Sequence, residues 1–573
     1  MKWLSVLVAG VRNRLADCKK KNSYDSLLEC ENPQICYALS FLYTHDSKKN
    51  NYYQSEEILN VLQNLIRKYI SKGSNAISGS RRHMCPLIQT YHLMKNYLDD
   101  FETELKLLIN EFAKTYFGEI KNRENLTIFS SANIGYGTNH LAVELSGLCA
   151  YAKYFESEDI FDNLGIADLK NYLKSFFEKF MNDMHPDGYW AECDGPATGY
   201  NGLTLSALHK SAYFLDVIDK YRDQFVVAAE YYNYAVFPNL ENNLILDGRM
   251  LQYRAEERIS AFCFSPSSRS IYEVCMEDLE RRISDGEVFS GESLNNLTND
   301  LVLGDLESSD CSDGFITAKD MKHQFGENFG FIKKNGWIIS CCNLKFIPRP
   351  EGHWNLDYQN LFSIYNDHFG CVVNGGHSKN DPELSTFSKQ FMSFDGYPLE
   401  EPMSKFIPHS GHFNFEDNGL NLFREYRGFE GLLSFVINNE NEMELIIQAN
   451  TRLDEYPIDF NFMLPLSYGE FLKSSNQSIL LGDKIINTSV SEIGDTILFE
   501  PEENHNLFKK CDSKRMRIKF PSSAEFSWGF KRFDTYNLKT DRHEDIKDSV
   551  CICKIPIGVE SEKITFNLDV IDG

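Results

Sequence analysis

The sequence predicts a multidomain α+β protein, with an N-terminal α/α half of successive antiparallel helix pairs ahead of a C-terminal half of antiparallel β-sheet. Three observations predict it. A chain of 573 residues is too long for one compact core. Apolar residues recur at helical spacing from about residue 24 to 236, and every second residue after about 325. Helices first and strands second imply segregated layers rather than alternating βαβ units.

Taken in order, the chain opens on MKWLSVLVAGV, a short apolar run followed by Arg12, Arg14 and Lys19 to Lys21. A secretory signal would carry a neutral cleavage region at that point, so the run reads as an amphipathic first helix, with a signal peptide as the alternative. Ile58, Leu62, Leu65, Ile66 and Tyr69 form one helical stripe, and Leu105, Leu108, Ile109 and Phe112 another. Leu141, Leu145, Leu148 and Phe155 mark a third, Leu169, Leu173, Phe176, Phe180 and Met184 a fourth, and Leu205, Leu208, Ala212 and Leu215 a fifth. Gly73, Asn182 and Gly188 stand near helix ends, where they relieve the terminal turn. The helical domain is assigned to 1–240. The mixed stretch 241–324 holds a helix near Ser270 to Ile283 and then a polar acidic run, and reads as a connector with a helix packed on the first domain. From 325 to 573, segments such as GWIISCCNL, LFSIYNDHFGCVVNGG, RMRIKFP, FSWGFKRF and KITFNLDV alternate with Gly, Asn and Asp turns, the pattern of antiparallel strands.

Bulk composition excludes several classes. Hydrophobic residues at 42% supply ordered cores. A net charge of -25 disfavours unassisted binding to nucleic acid or an anionic membrane, and obliges any polyanionic sugar to meet a local basic patch. No apolar run reaches about 18 residues, which argues against a membrane span. Fifteen cysteines, an odd number without a CxxC pair, read as mostly reduced, buried thiols. That favours a reducing, cytoplasmic compartment over a periplasmic or secreted one. Oligomeric state is not legible.

Three stretches carry unusual polar residues. In NIGYGTNHLAVELSGL, Asn139 and His140 precede the apolar period of a helix. Asn139 reads either as an N-cap or, with His140, as an amide and imidazole presented at a positive helix end that favours a carboxylate. In HPDGYWAECDGPATGYNGLTLSALH, a long Gly- and Pro-punctuated loop enters a helix at about Tyr200, which alone would read as a packed aromatic. In PEGHWNLDYQNLFSIY, His353 ends a loop and opens a strand, a place where histidines are ordinarily surface residues.

Together, and in this order, Asn139-His140, Tyr200 and His353 resemble the heparinase II/III-like polysaccharide lyases and the related alginate lyases. That family has an Asn-His pair at a helix start, a tyrosine after a DG…E…P…Y loop and a histidine opening an early strand. The resemblance spans residues 130–380 by motif and the whole chain by architecture. It implies that the helix pairs close into an α/α toroid, that the strands form an antiparallel β-sandwich, and that the activity is β-elimination on a uronic-acid glycan. Removing the C5 proton of a uronate is slow because the adjacent carboxylate is already negative, so a site must neutralise that carboxylate and the enolate-like intermediate. Asn139 with His140 or His353 suits that task. A phenol suits the proton transfers, which makes Tyr200 the acid/base, with His353 or His140 sharing the traffic.

Some relatives hold a structural zinc through a second histidine and an aspartate, where this chain has Asn355 and Asn374. Amides are poor zinc ligands, and His368, His377, His409 and His412 lack ligand spacing, so no metal and no cofactor is expected. Asp357, four residues after His353, corresponds to an acidic family position. Arg81 and Arg82 in SGSRRHM, and Arg249, Arg254 and Arg258 near the connector, are the cations suited to grip uronates bidentately, or else to pair with the abundant carboxylates. Glu192 joins Arg81, Arg82 and Arg254 as a candidate substrate-binding residue. Two rival readings remain. A glycoside hydrolase on a helical toroid would use Glu192 and Asp194, which would have to stand about 5–9 Å apart. An inactive glycan-binding protein would keep the cleft without the chemistry.

Overall fold

A computed structural model describes residues 2–21, 33–73, 81–98, 101–122, 138–155, 165–192, 195–247, 260–303, 320–344, 359–374, 385–389, 408–426, 428–451 and 458–465, with strand segments at 472–474, 478–479, 488–489, 496–499, 514–519, 525–531, 549–557 and 562–572. It is an α+β protein that divides into two compact units. One comprises Met1–Glu192, Tyr200–Tyr231 and Glu257–Ser312, and the other Cys193–Gly199, Tyr232–Glu256 and Asp313–Gly573.

The helices are α1 Lys2–Lys20, α2 Gln34–Thr44, α3 Glu56–Ser71, α4 Met84–Met94, α5 Glu102–Asn122, α6 Thr138–Tyr154, α7 Ile166–Asn182, α8 Thr198–Phe214, α9 Arg222–Glu230, the short α10 Tyr232–Ala235, α11 Pro266–Ser284 and α12 Gly291–Leu303. In α3 the buried side chains are Ile58, Val61, Leu62, Leu65, Ile66 and Tyr69, a one-sided stripe at spacings of three and four. Glu56 and Glu57 in its first turn and Lys68 in its last complement the helix dipole. The α7 stripe of Leu169, Leu173, Phe176, Phe177, Phe180 and Met181 is built the same way. Helix α6 differs, being buried nearly all round because α4, α5 and α7 all pack against it. Its small residues permit this: a Cβ on Gly147 would lie 2.9 Å from the Met84 sulfur of α4. Helix α2 packs on α3, α4 and α12, and α1 packs on α11 and α12, so the first helix of the unit meets the last two. At that contact Gly10 lets Leu294 and Ile283 approach the α1 backbone.

The second unit holds three antiparallel sheets. Strands β1 Met321–Phe325, β2 Phe329–Lys334, β3 Trp337–Cys342, β4 Phe362–Asn366 and β5 Gly370–Val373 form a meander in chain order. A nine-stranded sheet has β7 Ser410–Glu416, β8 Gly419–Tyr426, β9 Phe429–Asn439 and β10 Glu442–Thr451 at one side, followed by β19 Glu562–Asp572, β16 Lys514–Lys519 and shorter strands. The third sheet centres on β11 Ile458–Pro465 and β18 Ser549–Ile557. One apolar core joins all three. Phe362 of the meander lies 5.3 Å from Phe435 and 6.2 Å from Phe460, and Phe462 lies 5.5 Å from Phe566, ring centre to ring centre. Strand β9 buries alternate residues, whereas β3 and β4 are buried along their whole length.

The cause is a second cover on the meander, the segment running from α10 to residue 247. Phe237 stacks on Tyr365 at 5.2 Å. Asn243 donates to the Tyr234 carbonyl at 3.1 Å and to Ser340 Oγ at 2.9 Å, and accepts from Ser363 Oγ at 2.8 Å. Ser340 of β3 and Ser363 of β4 are thus satisfied inside the protein. Arg424 of β8 is also fully buried, donating to the Asn343 carbonyl, Asn343 Oδ1 and the Leu344 carbonyl at 2.8, 2.7 and 3.0 Å, which fixes the chain where it leaves β3.

Candidate active site

Asn139 and His140 lie in the first described turn of α6. Asn139 is buried and His140 exposed. Asn139 Oδ1 accepts from the His140 backbone N–H at 2.9 Å, so the group it can offer a ligand is its Nδ2. Thr138 donates its hydroxyl to the Ala191 carbonyl at 3.2 Å. The preceding residue in the loop, Trp190, donates its backbone N–H to Asn201 Oδ1 at 3.0 Å and its indole N–H to the Phe180 carbonyl at 2.8 Å. Tyr200 is half-buried, the third residue of α8, and its carbonyl accepts from the Thr204 hydroxyl at 3.0 Å. The starts of α6 and α8 are therefore tied to two consecutive loop residues, which brings the Asn139-His140 turn and the Tyr200-Asn201 turn to one place. Both are first turns of helices, whose aligned dipoles favour an anion. Glu192 follows Ala191 and is half-buried.

The loop reaches this position through a turn in which Gly188 adopts φ +87° and its N–H bonds the His185 carbonyl at 2.8 Å. A Cβ there would collide with the Val227 carbonyl oxygen of α9.

Beside His140 stands Arg81, in the 3-10 turn Arg81–His83 that precedes α4. Its Nη1 donates to His140 Nδ1 at 2.6 Å, its Nε lies 2.6 Å from Glu144 Oε1, and its Nη2 lies 3.7 Å from Glu119 Oε2. Glu144 is fully buried. Tyr116, also buried, has its phenol pushed up by burial and then by the Glu144 and Glu119 charges, with Arg81 acting in the opposite direction. The turn is anchored by His83, whose Nδ1 lies 3.2 Å from the Tyr69 hydroxyl and whose pKa burial lowers to about 4. Arg82 makes a 2.8 Å ion pair with Glu292.

Glu144, Glu119 and Tyr116 were not among the sequence-derived candidates. Glu144 carries a signal: it is a lone carboxylate in the small and apolar run LAVELSGLCAYA, four residues after His140 and so on the same helix face. Glu119 and Tyr116, on a different helix, carry none.

His353 and Arg254 lie outside the described residues, as do Asp194, Arg249, Arg258, Asn355, Asp357 and His377. Asn374 is engaged structurally, its Oδ1 accepting the Leu244 N–H at 3.1 Å and its Nδ2 donating to the Asn242 carbonyl at 3.0 Å. An amide occupied on both sides does not fit a zinc ligand. His368 Nε2 receives a 3.0 Å bond from Lys514, His409 lies 3.6 Å from Glu425, and His412 packs on the Phe423 ring at 5.2 Å. Among the described residues no group of three or more His, Cys, Asp or Glu side chains could hold a metal ion, and no helix is long and apolar enough to cross a membrane.

The fold resembles that of heparinase III. A crystal structure of heparinase III superposes with a TM-score of 0.53 at 10% identity, covering 95% of this chain and 77% of that one. Heparan sulfate lyase from Pedobacter heparinus gives a TM-score of 0.45 at 10% identity, over 94% of this chain and 75% of that one. A Paenibacillus xanthan lyase gives 0.49 at 10% identity, over 93% of this chain and 52% of that one. The heparinase III likeness carries the fold assignment. By sequence, no protein-family model and no curated protein matches the chain.

Proposed function

We propose that the protein is a polysaccharide lyase that cleaves a uronic-acid-containing glycan by β-elimination. The observation that supports the reading is that the starts of α6 and α8 are tied, through Thr138 and Asn201, to the consecutive loop residues Ala191 and Trp190, which makes the segments carrying Asn139, His140 and Tyr200 neighbours. In this reading Asn139 Nδ2 and His140 donate to the uronate carboxylate and so lower the cost of the enolate-like intermediate. Tyr200 takes the C5 proton. The electron pair becomes the C4–C5 double bond, the C4–O bond breaks, and the leaving oxygen takes up a proton, which Tyr200 or His353 supplies. Arg82, Arg254 and Glu192 are assigned to the flanking sugars, while Arg81, expected beside them, is engaged by His140 and Glu144; an overall charge of -25 leaves attraction of an acidic polysaccharide to such local groups.

The finer architecture belongs to the same proposal. The helical unit is read as an α/α toroid and the β unit as an antiparallel β-sandwich; against the expected bounds of 1–240, 241–324 and 325–573, the segment 232–247 goes with the strands and α11 and α12 go with the helices. Packing of α1 on α11 and α12 supports closure of the helices, and one core shared among three antiparallel sheets supports the sandwich.

Incubation with alginate, heparan sulfate, chondroitin, hyaluronan and glucuronan tests the activity. An unsaturated uronate, seen by its ultraviolet absorbance, is the expected product. New reducing ends without that absorbance identify a hydrolase, and glycan binding without cleavage identifies a binding protein.

A further inference from the structure

We propose that Arg81 is a positioning residue that holds His140 as the neutral Nε2–H tautomer, so that His140 acts as a hydrogen-bond donor and leaves proton abstraction to Tyr200. The role of His140 in catalysis rests on the lyase reading above; its tautomer does not.

A guanidinium has five N–H donors and no acceptor, so across the 2.6 Å contact His140 Nδ1 must be the acceptor. That excludes the two ring states with a proton on Nδ1, the other neutral tautomer and the imidazolium, for as long as the contact holds. The ring's one N–H then lies at Nε2. For His140 to act as a base it would need a lone pair at Nε2 and a proton at Nδ1, which would set N–H against N–H.

Arg81 is well placed to impose this. Its Nε lies 2.6 Å from the fully buried Glu144 and its Nη2 3.7 Å from Glu119, so ion pairs to carboxylates on two helices hold the guanidinium beside His140. His140 and Glu144 are four residues apart on α6, and one guanidinium meets both, His140 by a hydrogen bond from Nη1 and Glu144 as an ion pair at Nε. The Tyr69–His83 contact fixes the backbone turn beneath it. A lysine ammonium, a compact point charge on a flexible stem, would hold the carboxylate and the imidazole with less directional control.

The test is nitrogen spectroscopy on the full chain labelled with [15N]histidine, with the His140 signals assigned by their loss in His140→Gln. Wild type is expected to show a protonated-type Nε2 and an acceptor-type Nδ1 at neutral pH. Arg81→Lys is expected to bring the Nδ1–H tautomer into the population and lower kcat roughly 10²-fold, with the thermal midpoint little changed. Because a bare Glu144 could unfold an Arg81 deletion, Arg81→Met is made together with Glu144→Gln, and the same tautomer shift is expected. A wild-type Nδ1–H signal overturns the proposal, as does an unaltered tautomer and kcat in both variants. Failure of wild type to release unsaturated product from any glycan overturns the lyase reading instead, and the wild-type spectrum still decides the tautomer.

Discussion

The side chain of Asn374 grips one short backbone stretch from both sides, accepting from the Leu244 N–H at 3.1 Å and donating to the Asn242 carbonyl at 3.0 Å. A carboxylate of the same shape cannot do both. An aspartate would keep the first bond and set a carboxylate oxygen against the carbonyl, in a buried site where neither is rehydrated. Asn374→Asp is therefore expected to destabilise the β unit by about 2–3 kcal/mol, taking a lost bond together with a desolvated acceptor pair. Thermal unfolding checks it, and an unchanged midpoint contradicts the structural role.

His209 of α8 is fully buried, with its ring 5.5 Å from Phe225 and 5.1 Å from Phe264, and burial lowers its pKa to about 3. The folded protein binds this proton less readily than the unfolded chain, whose histidine titrates near 6.5, so the contribution to stability is complete above that pH and declines as pH falls towards 3. At about 1.4 kcal/mol per pH unit, the loss between pH 6.5 and 5 is about 2 kcal/mol. His209→Phe keeps a ring in place and removes the titration. Urea midpoints at pH 7 and pH 5 should differ more for wild type than for the variant, and equal differences would refute the assignment.

Gly188 holds the loop that joins the two helix starts, at φ +87° and against the Val227 carbonyl. Gly188→Ala is expected to cost about 1–3 kcal/mol from the left-handed backbone alone, with the steric contact adding to it. Because Trp190 and Ala191 follow within three residues, activity should fall by more than the loss of folded protein explains. Activity normalised to folded fraction measures this, and full normalised activity would show that the loop does not set the site.

These residues also show what the sequence makes legible. The stripes of α3 and α7 are plain because one face alone is buried, and the strand pattern of β9 is plain for the same reason. Helix α6 and strand β3 are buried on several sides, so their periodicity blurs and their type follows from length and neighbours. Asn139, His140 and Tyr200 stand out because each is a polar or amphipathic residue at a loop-to-helix junction. Arg81 stands out only as a charge in a loop. That it meets His140, 59 residues away, and Glu144 instead of solvent is a consequence of how α4, α5 and α6 pack, and no local pattern encodes it.

Tyr200 separates the chemical readings most sharply. Its ring is half-buried, and Tyr200→Phe removes only the hydroxyl, so folding should be nearly intact while turnover drops by a factor on the order of 10² to 10⁴ if the phenol moves the C5 proton. Substrate binding should survive, because Asn139 and His140 remain to meet the carboxylate. Tyr200→Ala also removes ring packing, and with the ring only half-buried the cost should be about 1–2 kcal/mol, below the range for a fully buried aromatic. A hydrolase using Glu192 would behave in the opposite way: Glu192→Gln would abolish cleavage, Tyr200→Phe would retain it, and the product would lack ultraviolet absorbance. Measuring product absorbance, glycan binding and thermal midpoint on these three variants distinguishes the cases. A fully active Tyr200→Phe that still releases unsaturated product would move the proton transfer to His353 and remove Tyr200 from the mechanism.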